Sequence, residues 1–435
     1  MIPQPRPTPG DTSWFTKARF GLFIHWGLYA LPARHEWVKQ REEIPDEVYD
    51  LYFRHFDPDL YDPKLWAKAA AEAGMKYFVV TTKHHDGFCL WDSQFTDYKA
   101  TNTPYGQDLL QPMVAAFRSE GLRVGFYHSL LDWHHPEFPI DDLHSMRNHP
   151  EREQLNAQRD ISKYADYLHN QTRELLTKFA PVDIMWFDFS YRAGQPGWPA
   201  SWVGKGRDDW QSEKLVKLVR ELAPQIILND RLDLDSGWDI KTPEQYQPRE
   251  WLRVNGEPVV WEACQTFSGS WGYHRDEASW KSLEQLIGML VDTVSKGGNL
   301  LLNVGPTGRG EFDERALERL AGIGRWLRLH GRSIYGCTAS AFTPPPDCRY
   351  TQNGNRLYLH LLHWPYRHVH LADLAGRVEY AQLLNDASEV RRLELDPKMP
   401  AQNTTMSGQA GVLTLELPVS KPNVTVPVIE LFLKE

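Results

Sequence analysis

Cysteine is scarce in this chain: four residues in 435, at Cys89, Cys264, Cys337 and Cys348. They form no Cys-x-x-Cys pair and no Cys/His metal spacing. That sets aside a disulfide framework and a zinc site, and reduced buried thiols are the expected state. Long apolar runs are missing too. No stretch reaches the roughly 18 residues of a membrane-span candidate. The N-terminal Met1-Ile2-Pro3-Gln4-Pro5-Arg6-Pro7 has no apolar core of a secretory signal. The expectation is a cytoplasmic protein with no membrane partner. Positive charge is in deficit, with 48 Lys and Arg against 57 Asp and Glu, for a net charge of −9. A nucleic-acid partner is therefore not expected. Several signatures are also absent. No Gly-x-Gly-x-x-Gly follows the first apolar run, no Gly-x-Ser-x-Gly follows a strand, and no His-Glu-x-x-His occurs. These absences count against a dinucleotide fold, an esterase-type serine nucleophile and a catalytic metal, and no cofactor is expected.

Aromatic residues are abundant, with 17 Trp, 18 Tyr and 18 Phe making 12% of the chain. Aromatic faces fill cores, and they also stack on the C–H faces of sugars. The length exceeds one ordinary core, so a large domain followed by a smaller one is expected. Apolar, strand-like runs recur at Phe20–Trp26, Tyr77–Thr82, Val124–Tyr127, Ile184–Phe187, Gln225–Leu228, Val259–Trp261 and Leu300–Val304. Amphipathic helical patterns lie between several of them: Pro63–Gly74 with Asp62 as N-cap, Ala157–Phe179 and Ser212–Leu222. Seven strands and a less distinct eighth predict a (β/α)8-type barrel over residues 1–336, with a doubly wound sheet as the alternative. After the break at Phe342-Thr343-Pro344-Pro345-Pro346, short alternating runs predict an antiparallel β-sandwich over residues 337–435.

The stretch Ile184-Met185-Trp186-Phe187-Asp188 organises the site. It reads as a buried strand ending in a carboxylate, with a Gly/Pro-rich exit at Arg192–Gly197. Other strand ends also carry ionisable groups: His25, His84-His85-Asp86, His128, Asn229-Asp230-Arg231 and Glu262. One such residue is ordinary turn chemistry, but a series along one end of a barrel points to a site. Adjacent residues face opposite sides of a strand, so His84 and His85 can share one face only at a bulge. Paired carboxylates remain, with Asp188 as one and Glu244 or Glu262 as the other, which is the minimum for cleaving a glycosidic bond.

These residues resemble a known family. Phe20-Gly21-Leu22-Phe23-Ile24-His25-Trp26-Gly27, Glu36-Trp37, Thr82-Lys83-His84-His85-Asp86-Gly87-Phe88, Tyr127 and Trp186-Phe187-Asp188 are similar to the α-L-fucosidases of glycoside hydrolase family twenty-nine. So are Asn229-Asp230-Arg231, Trp261-Glu262-Ala263-Cys264, Ser270-Trp271-Gly272-Tyr273 and Gly297–Pro306. The resemblance implies a retaining exo-hydrolase acting on fucosylated oligosaccharides, with Asp188 as nucleophile. It implies that His25, His84, His85, Tyr127 and Arg231 hold the fucose hydroxyls and the nucleophile. Glu36 and Trp37 would face ring hydroxyls, and Trp271 the C6 methyl. The family's Thr-Pro-Glu loop favours Glu244 over Glu262 as acid/base, and Arg231 is expected to keep the Asp188 pKa low. Trp198, Trp202 and Trp210 are expected to build a subsite for a branched aglycone in α-1,3/1,4 linkage. A catalytically silent fucose-binding barrel and a transglycosidase are the competing readings, and homo-oligomerisation is left open.

Overall fold

The computed structural model describes residues 2–434 except 193 and 195–197 and 200, so most of the expected exit loop at 192–197 lies outside the described residues. Eight parallel strands form the first architecture: β1 (Phe20–Ile24), β2 (Tyr77–Lys83), β3 (Arg123–Ser129), β4 (Ile184–Asp188), β5 (Ile227–Leu228), β6 (Ile240–Lys241), β7 (Val260–Thr266) and β8 (Asn299–Val304). Their spatial order is β5-β4-β3-β2-β1-β8-β7-β6. A single parallel bridge, Asn229 to Ile240, brings the two outer strands together and nearly closes a barrel.

The crossovers explain why the sequence folds this way. Helix α1 (Pro63–Glu72) is capped by Asp62, whose side chain accepts from the amides of Lys64 and Leu65, and Pro63 sits where its missing N–H costs nothing. Gly74, just beyond it, has φ 87°, a conformation that glycine adopts without strain. Next come α2 (Leu110–Ser119), α3 (Ile161–Lys178), α4 (Ser212–Leu222), α5 (Leu283–Ser295) and α6 (Glu314–His330). Among the described residues no helix links β5 to β6 or β6 to β7. Those two crossovers are loops, and they carry Arg231 and Glu244.

Strands β1, β2, β4, β7 and β8 are buried along their whole length, as expected of a parallel sheet covered on both faces. Alternate residues therefore point into the barrel. Phe23, Tyr77, Val79, Tyr127, Ile184, Trp186, Cys264 and Leu301 share that inner core. One glycine is needed here: a Cβ on Gly21 would lie 2.3 Å from the Tyr77 ring, which occupies the floor of the barrel.

The position of Glu262 corrects the sequence reading. Strand β7 starts at Val260 and continues to Thr266, and Glu262 lies opposite Asn299, the first residue of β8. Glu262 is thus near the start of its strand, at the end of the barrel away from Asp188. As a sequence, the apolar run Val259-Val260-Trp261 ends at Glu262, but this strand takes the carboxyl into its interior and goes on.

The C-terminal part is two antiparallel sheets. Strands β9 (Cys348–Asn353), β10 (Arg356–Leu361), β11 (His368–Leu371), β12 (Val378–Leu383), β13 (Arg391–Leu393), β14 (Leu413–Glu416) and β15 (Val428–Leu433) pair in the orders β9-β10-β15-β12 and β11-β14-β13. Their inner faces form a separate core. The sheets are held to the barrel by Trp326 Nε1 donating to Val426 O at 2.9 Å and by Arg349 against Asp292 at 2.6 Å.

Candidate active site

A pocket opens at the carboxyl ends of the barrel strands. Its walls come from many segments, as this architecture allows. Phe23 lies in β1 and His25 directly follows it, and His84 and His85 follow β2. Tyr127 lies in β3, Trp186 and Asp188 in β4, Glu244 follows β6, Cys264 lies in β7, and Trp37, Phe189 and Trp271 complete it. Of the residues expected from sequence, His25, Trp37, His84, His85, Tyr127, Asp188, Glu244 and Trp271 line it, and Arg231 borders it. The sequence reading missed Phe23, Trp186, Phe189 and Cys264. Strand period was a usable signal for two of them, since Phe23 and Trp186 sit two residues before His25 and Asp188.

Asp188 is buried and held from both sides. Tyr127 donates its hydroxyl to Oδ2 at 2.7 Å, and Arg231 Nη1 donates to Oδ1 at 2.8 Å. The same Nη1 lies 2.7 Å from Glu244 Oε2, so the two carboxylate oxygens cannot be more than 5.5 Å apart. Arg231 is itself fixed. Its Nε and Nη2 donate to Thr242 Oγ1 and O at 3.1 and 3.0 Å, and its guanidinium lies 4.6 Å over the Trp186 ring. Thr242 Oγ1 in turn donates to Asp230 at 2.8 Å. The segment after β6 therefore wraps around the arginine.

Glu244 is anchored through its neighbours. Cys264 N donates to Pro243 O at 3.0 Å and Gln245 N to Cys264 O at 3.1 Å, which makes Glu244 a strand-like partner of β7. Its side chain stays 39% exposed while that of Asp188 is 11% exposed. One carboxylate thus faces the enclosed pocket and the other faces its mouth.

Burial pushes the Asp188 carboxyl above its ordinary value, and the Glu244 charge adds to that, against the opposing pull of Arg231 and Tyr127. The low pKa expected from Arg231 is therefore corrected. Loss of water outweighs a guanidinium that must serve two carboxylates. Arg231 stays charged: burial opposes it, but Asp188 and Glu244 raise its pKa well above the usual range.

The histidines are neutral. Burial lowers His25 to about 3, and it lowers His84 and His85 well below their usual value. Asn303 fixes the tautomer of His25. Its Nδ2 donates to Trp271 O at 2.6 Å, which turns Oδ1 toward His25 Nδ1, also at 2.6 Å. The carbonyl oxygen can only accept, so Nδ1 carries the proton and Nε2 is left as an acceptor for a hydroxyl. His85 Nδ1 lies 2.6 Å from Ser129 Oγ. The pairing of β2 with β3 slips between Thr81 and Lys83, and β2 ends there. Both His84 and His85 consequently face the pocket, with rings 4.0 Å apart. Among the described residues, no cluster of three or more His, Cys, Asp or Glu has metal-holding geometry.

Two expected residues serve other ends. Glu36 Oε2 accepts from the amides of Trp271 and Gly272 at 3.1 and 2.8 Å, so this carboxylate holds the Trp271 loop and is absent from the pocket lining. Trp210 is fully buried against Phe138 and Tyr164, and it belongs to the core. Trp198 does line a second, more open cleft that meets the pocket at Asp188 and Glu244, with Asp230, Asp233 and Lys241 on its other walls. Trp202 packs on Trp198 at 5.4 Å.

Glu262 is not in this site. Tyr77 donates its hydroxyl to Glu262 Oε2, and Asn299 Nδ2 reaches the same hydroxyl at 3.4 Å. Burial pushes the carboxyl up to about 8, against the hydrogen bond from Tyr77 and the pull of the neighbouring Trp186 indole.

Comparison with known proteins gives a consistent picture. A family model described as alpha-L-fucosidase matches residues 6–332. The plasma alpha-L-fucosidase of Homo sapiens is 31% identical over 386 residues, covering 81% of this chain and 76% of that protein. The structure of alpha-L-fucosidase isoenzyme 1 from Paenibacillus thiaminolyticus matches with a TM-score of 0.89 at 44% identity, covering 98% of this chain and 99% of that one. A GH29 alpha-L-fucosidase from Bacteroides thetaiotaomicron, solved as a trapped covalent intermediate with 2-fluoro-fucosyl fluoride in a glutamate-to-glutamine mutant, matches with a TM-score of 0.82 at 28% identity, covering 100% and 99%.

Proposed function

This chain belongs to the α-L-fucosidases of glycoside hydrolase family 29, and on that premise we propose how its residues divide the work. Asp188 is the nucleophile and Glu244 the acid/base of a retaining, exo-acting hydrolysis. The Asp188 carboxylate attacks the anomeric carbon of α-L-fucose as the glycosidic C–O bond breaks, and Glu244 gives its proton to the departing oxygen. Glu244 then takes a proton from water, and that water attacks the same carbon to free fucose and Asp188. The observation that carries this reading is the shared Arg231 nitrogen, which limits the two carboxylate oxygens to 5.5 Å. Retaining pairs stand about 5–5.5 Å apart, whereas inverting pairs need roughly 6.5–9.5 Å for a water.

The rest of the pocket fits one deoxy-sugar. Neutral His25, His84 and His85 offer nitrogens to hydroxyls without competing for the charge on Asp188. Tyr127 and Arg231 orient the nucleophile, and Trp37 and Trp271 supply apolar faces, Trp271 toward the methyl group. Glu36, whose carboxyl is pushed up by burial against its backbone hydrogen bonds, acts through the Trp271 loop. The cleft beyond Glu244, with Trp198 on one wall, suits a leaving glycan branched at the residue that bears fucose. That supports α-1,3 and α-1,4 linkages.

Hydrolysis of 4-nitrophenyl α-L-fucoside by the wild type and by Asp188→Asn tests this. Loss in the variant, with azide restoring nitrophenol release and yielding β-fucosyl azide, is the expected result. A wild type that binds fucose without cleaving the fucoside would support the silent-barrel reading instead.

A further inference from the structure

The loop carrying Trp198 closes on a neck that the catalytic reading leaves unexplained. Tyr191 N donates to Lys205 O at 2.8 Å, which ties together the two residues on either side of Trp198. The neck is tight. A Cβ on Gly204 would lie 1.5 Å from Tyr191 O, so no other residue fits without opening it. Beneath the neck, Lys205 Nζ and the Tyr191 hydroxyl both donate to Asp141 Oδ2, and Lys205 Nζ also donates to Pro139 O at 3.0 Å. All three side chains are at least nine-tenths buried. The next residue, Asp142, accepts from Val203 N at 2.7 Å. On the other side, Arg207 N donates to Asp233 at 3.2 Å, and Asp233 lines the outer cleft. Trp198 rests directly on this assembly, 6.2 Å from the Tyr191 ring and 6.1 Å from Phe189.

A buried ion pair is a weak source of net stability, because desolvating both charges offsets most of their attraction; its best-attested use is to fix one arrangement over others. Among the described residues the clamp makes no hydrogen bond or ion pair with Asp188 or Glu244, and the element it fixes is the neck of the Trp198 loop. We infer that Lys205, Asp141 and Tyr191 form a positioning clamp for aglycone selection, holding Trp198 where the branched leaving glycan meets the outer cleft. This rests on the fucosidase reading above and goes further, because it assigns linkage selectivity to buried residues that touch no sugar.

The test compares two substrates, 4-nitrophenyl α-L-fucoside and a trisaccharide branched at its fucosylated residue. Lys205→Met is expected to lower kcat/KM for the trisaccharide about tenfold or more, mainly through KM, while aryl-fucoside hydrolysis stays within about twofold. Tyr191→Phe removes one hydroxyl and keeps the ring under Trp198, so the glycan-to-aryl ratio should fall in the same direction by less. Should Lys205→Met fail to fold, Tyr191→Phe decides: an unchanged ratio overturns the clamp. Equal losses on both substrates at an unchanged melting temperature would also overturn it. Trp198→Ala separates the two layers of the argument. If it lowers the ratio and Lys205→Met does not, the clamp is wrong and the aromatic wall stands. If Trp198→Ala leaves the ratio unmoved, the reading of the outer cleft is wrong as well.

Discussion

Asp188 ends strand β4 at one mouth of the barrel, and Glu262 lies two residues into β7 at the other end. Both carboxyls point inward, both are buried, and burial pushes both above their ordinary values. Their neighbours differ. Asp188 has a guanidinium, a phenol and a second carboxylate within reach, and it borders a pocket. Glu262 has a phenol as its hydrogen-bond partner and does not line that pocket. The same functional group is made reactive at one end and inert at the other by what surrounds it. A carboxyl with a cation beside it can stay an anion in a dry site, and one with only hydroxyl and N–H partners is held neutral.

The comparison would break first at the nucleophile. Asp188→Asn should lower kcat on the order of 10⁴-fold, whereas Glu262→Gln should keep activity within about tenfold, read by steady-state kinetics on the aryl fucoside. A reversed ranking would put the chemistry at the wrong end of the barrel. Glu244→Gln comes next. Loss of general-acid help should cost about 10²–10⁴-fold on natural glycans and less on a substrate with a nitrophenolate leaving group, which needs no proton. If Glu262→Gln gave that leaving-group pattern, the two carboxyls would have to exchange roles.

Two pH measurements sharpen the contrast. Asp188 acts as the anion, and its pKa is raised by burial and by the Glu244 charge, so the acid limb of kcat/KM should lie above the ordinary carboxylate range. Removing that charge in Glu244→Gln should move the limb to lower pH. A limb that moves up or stays fixed would contradict the coupling. For Glu262 the folded pKa of about 8 stands above the ordinary 4.5. Its contribution to stability is full below the lower value and is lost as pH rises toward the higher one. The melting temperature of Glu262→Gln should therefore decline less than that of the wild type between pH 5 and pH 8. Parallel curves would mean Glu262 is not held neutral.

Much of this was legible in the sequence. Buried parallel strands read as apolar runs, and the helix Ser212–Leu222 matches its expected bounds residue for residue. Asp188 was visible because a charge closes such a run at the mouth of a strand. The same logic misplaced Glu262, since a strand that buries a neutral acid looks like one that ends. Strands β5 and β6, two residues each, offered little pattern, and neither they nor β7 are separated by helices. Three of the seven C-terminal strands, β9, β11 and β12, escaped the reading: β11 alternates but spans only 4 residues, and the alternation breaks within β9 and β12. Trp210 and Trp198 were indistinguishable by type, and only packing separates a core indole from one at the cleft. The Lys205–Asp141–Tyr191 clamp was invisible for a simpler reason. Its members are joined across 64 positions of sequence by contacts that no local pattern encodes.

The most direct test is to label the protein with a 2-fluoro-fucosyl fluoride, which slows breakdown of any glycosyl-enzyme ester, and to locate the added mass by peptide mapping. The account predicts a single adduct on the peptide containing Asp188, absent from Asp188→Asn. An adduct on Glu244 or Glu262, or none in an enzyme that still turns over the aryl fucoside, would contradict it.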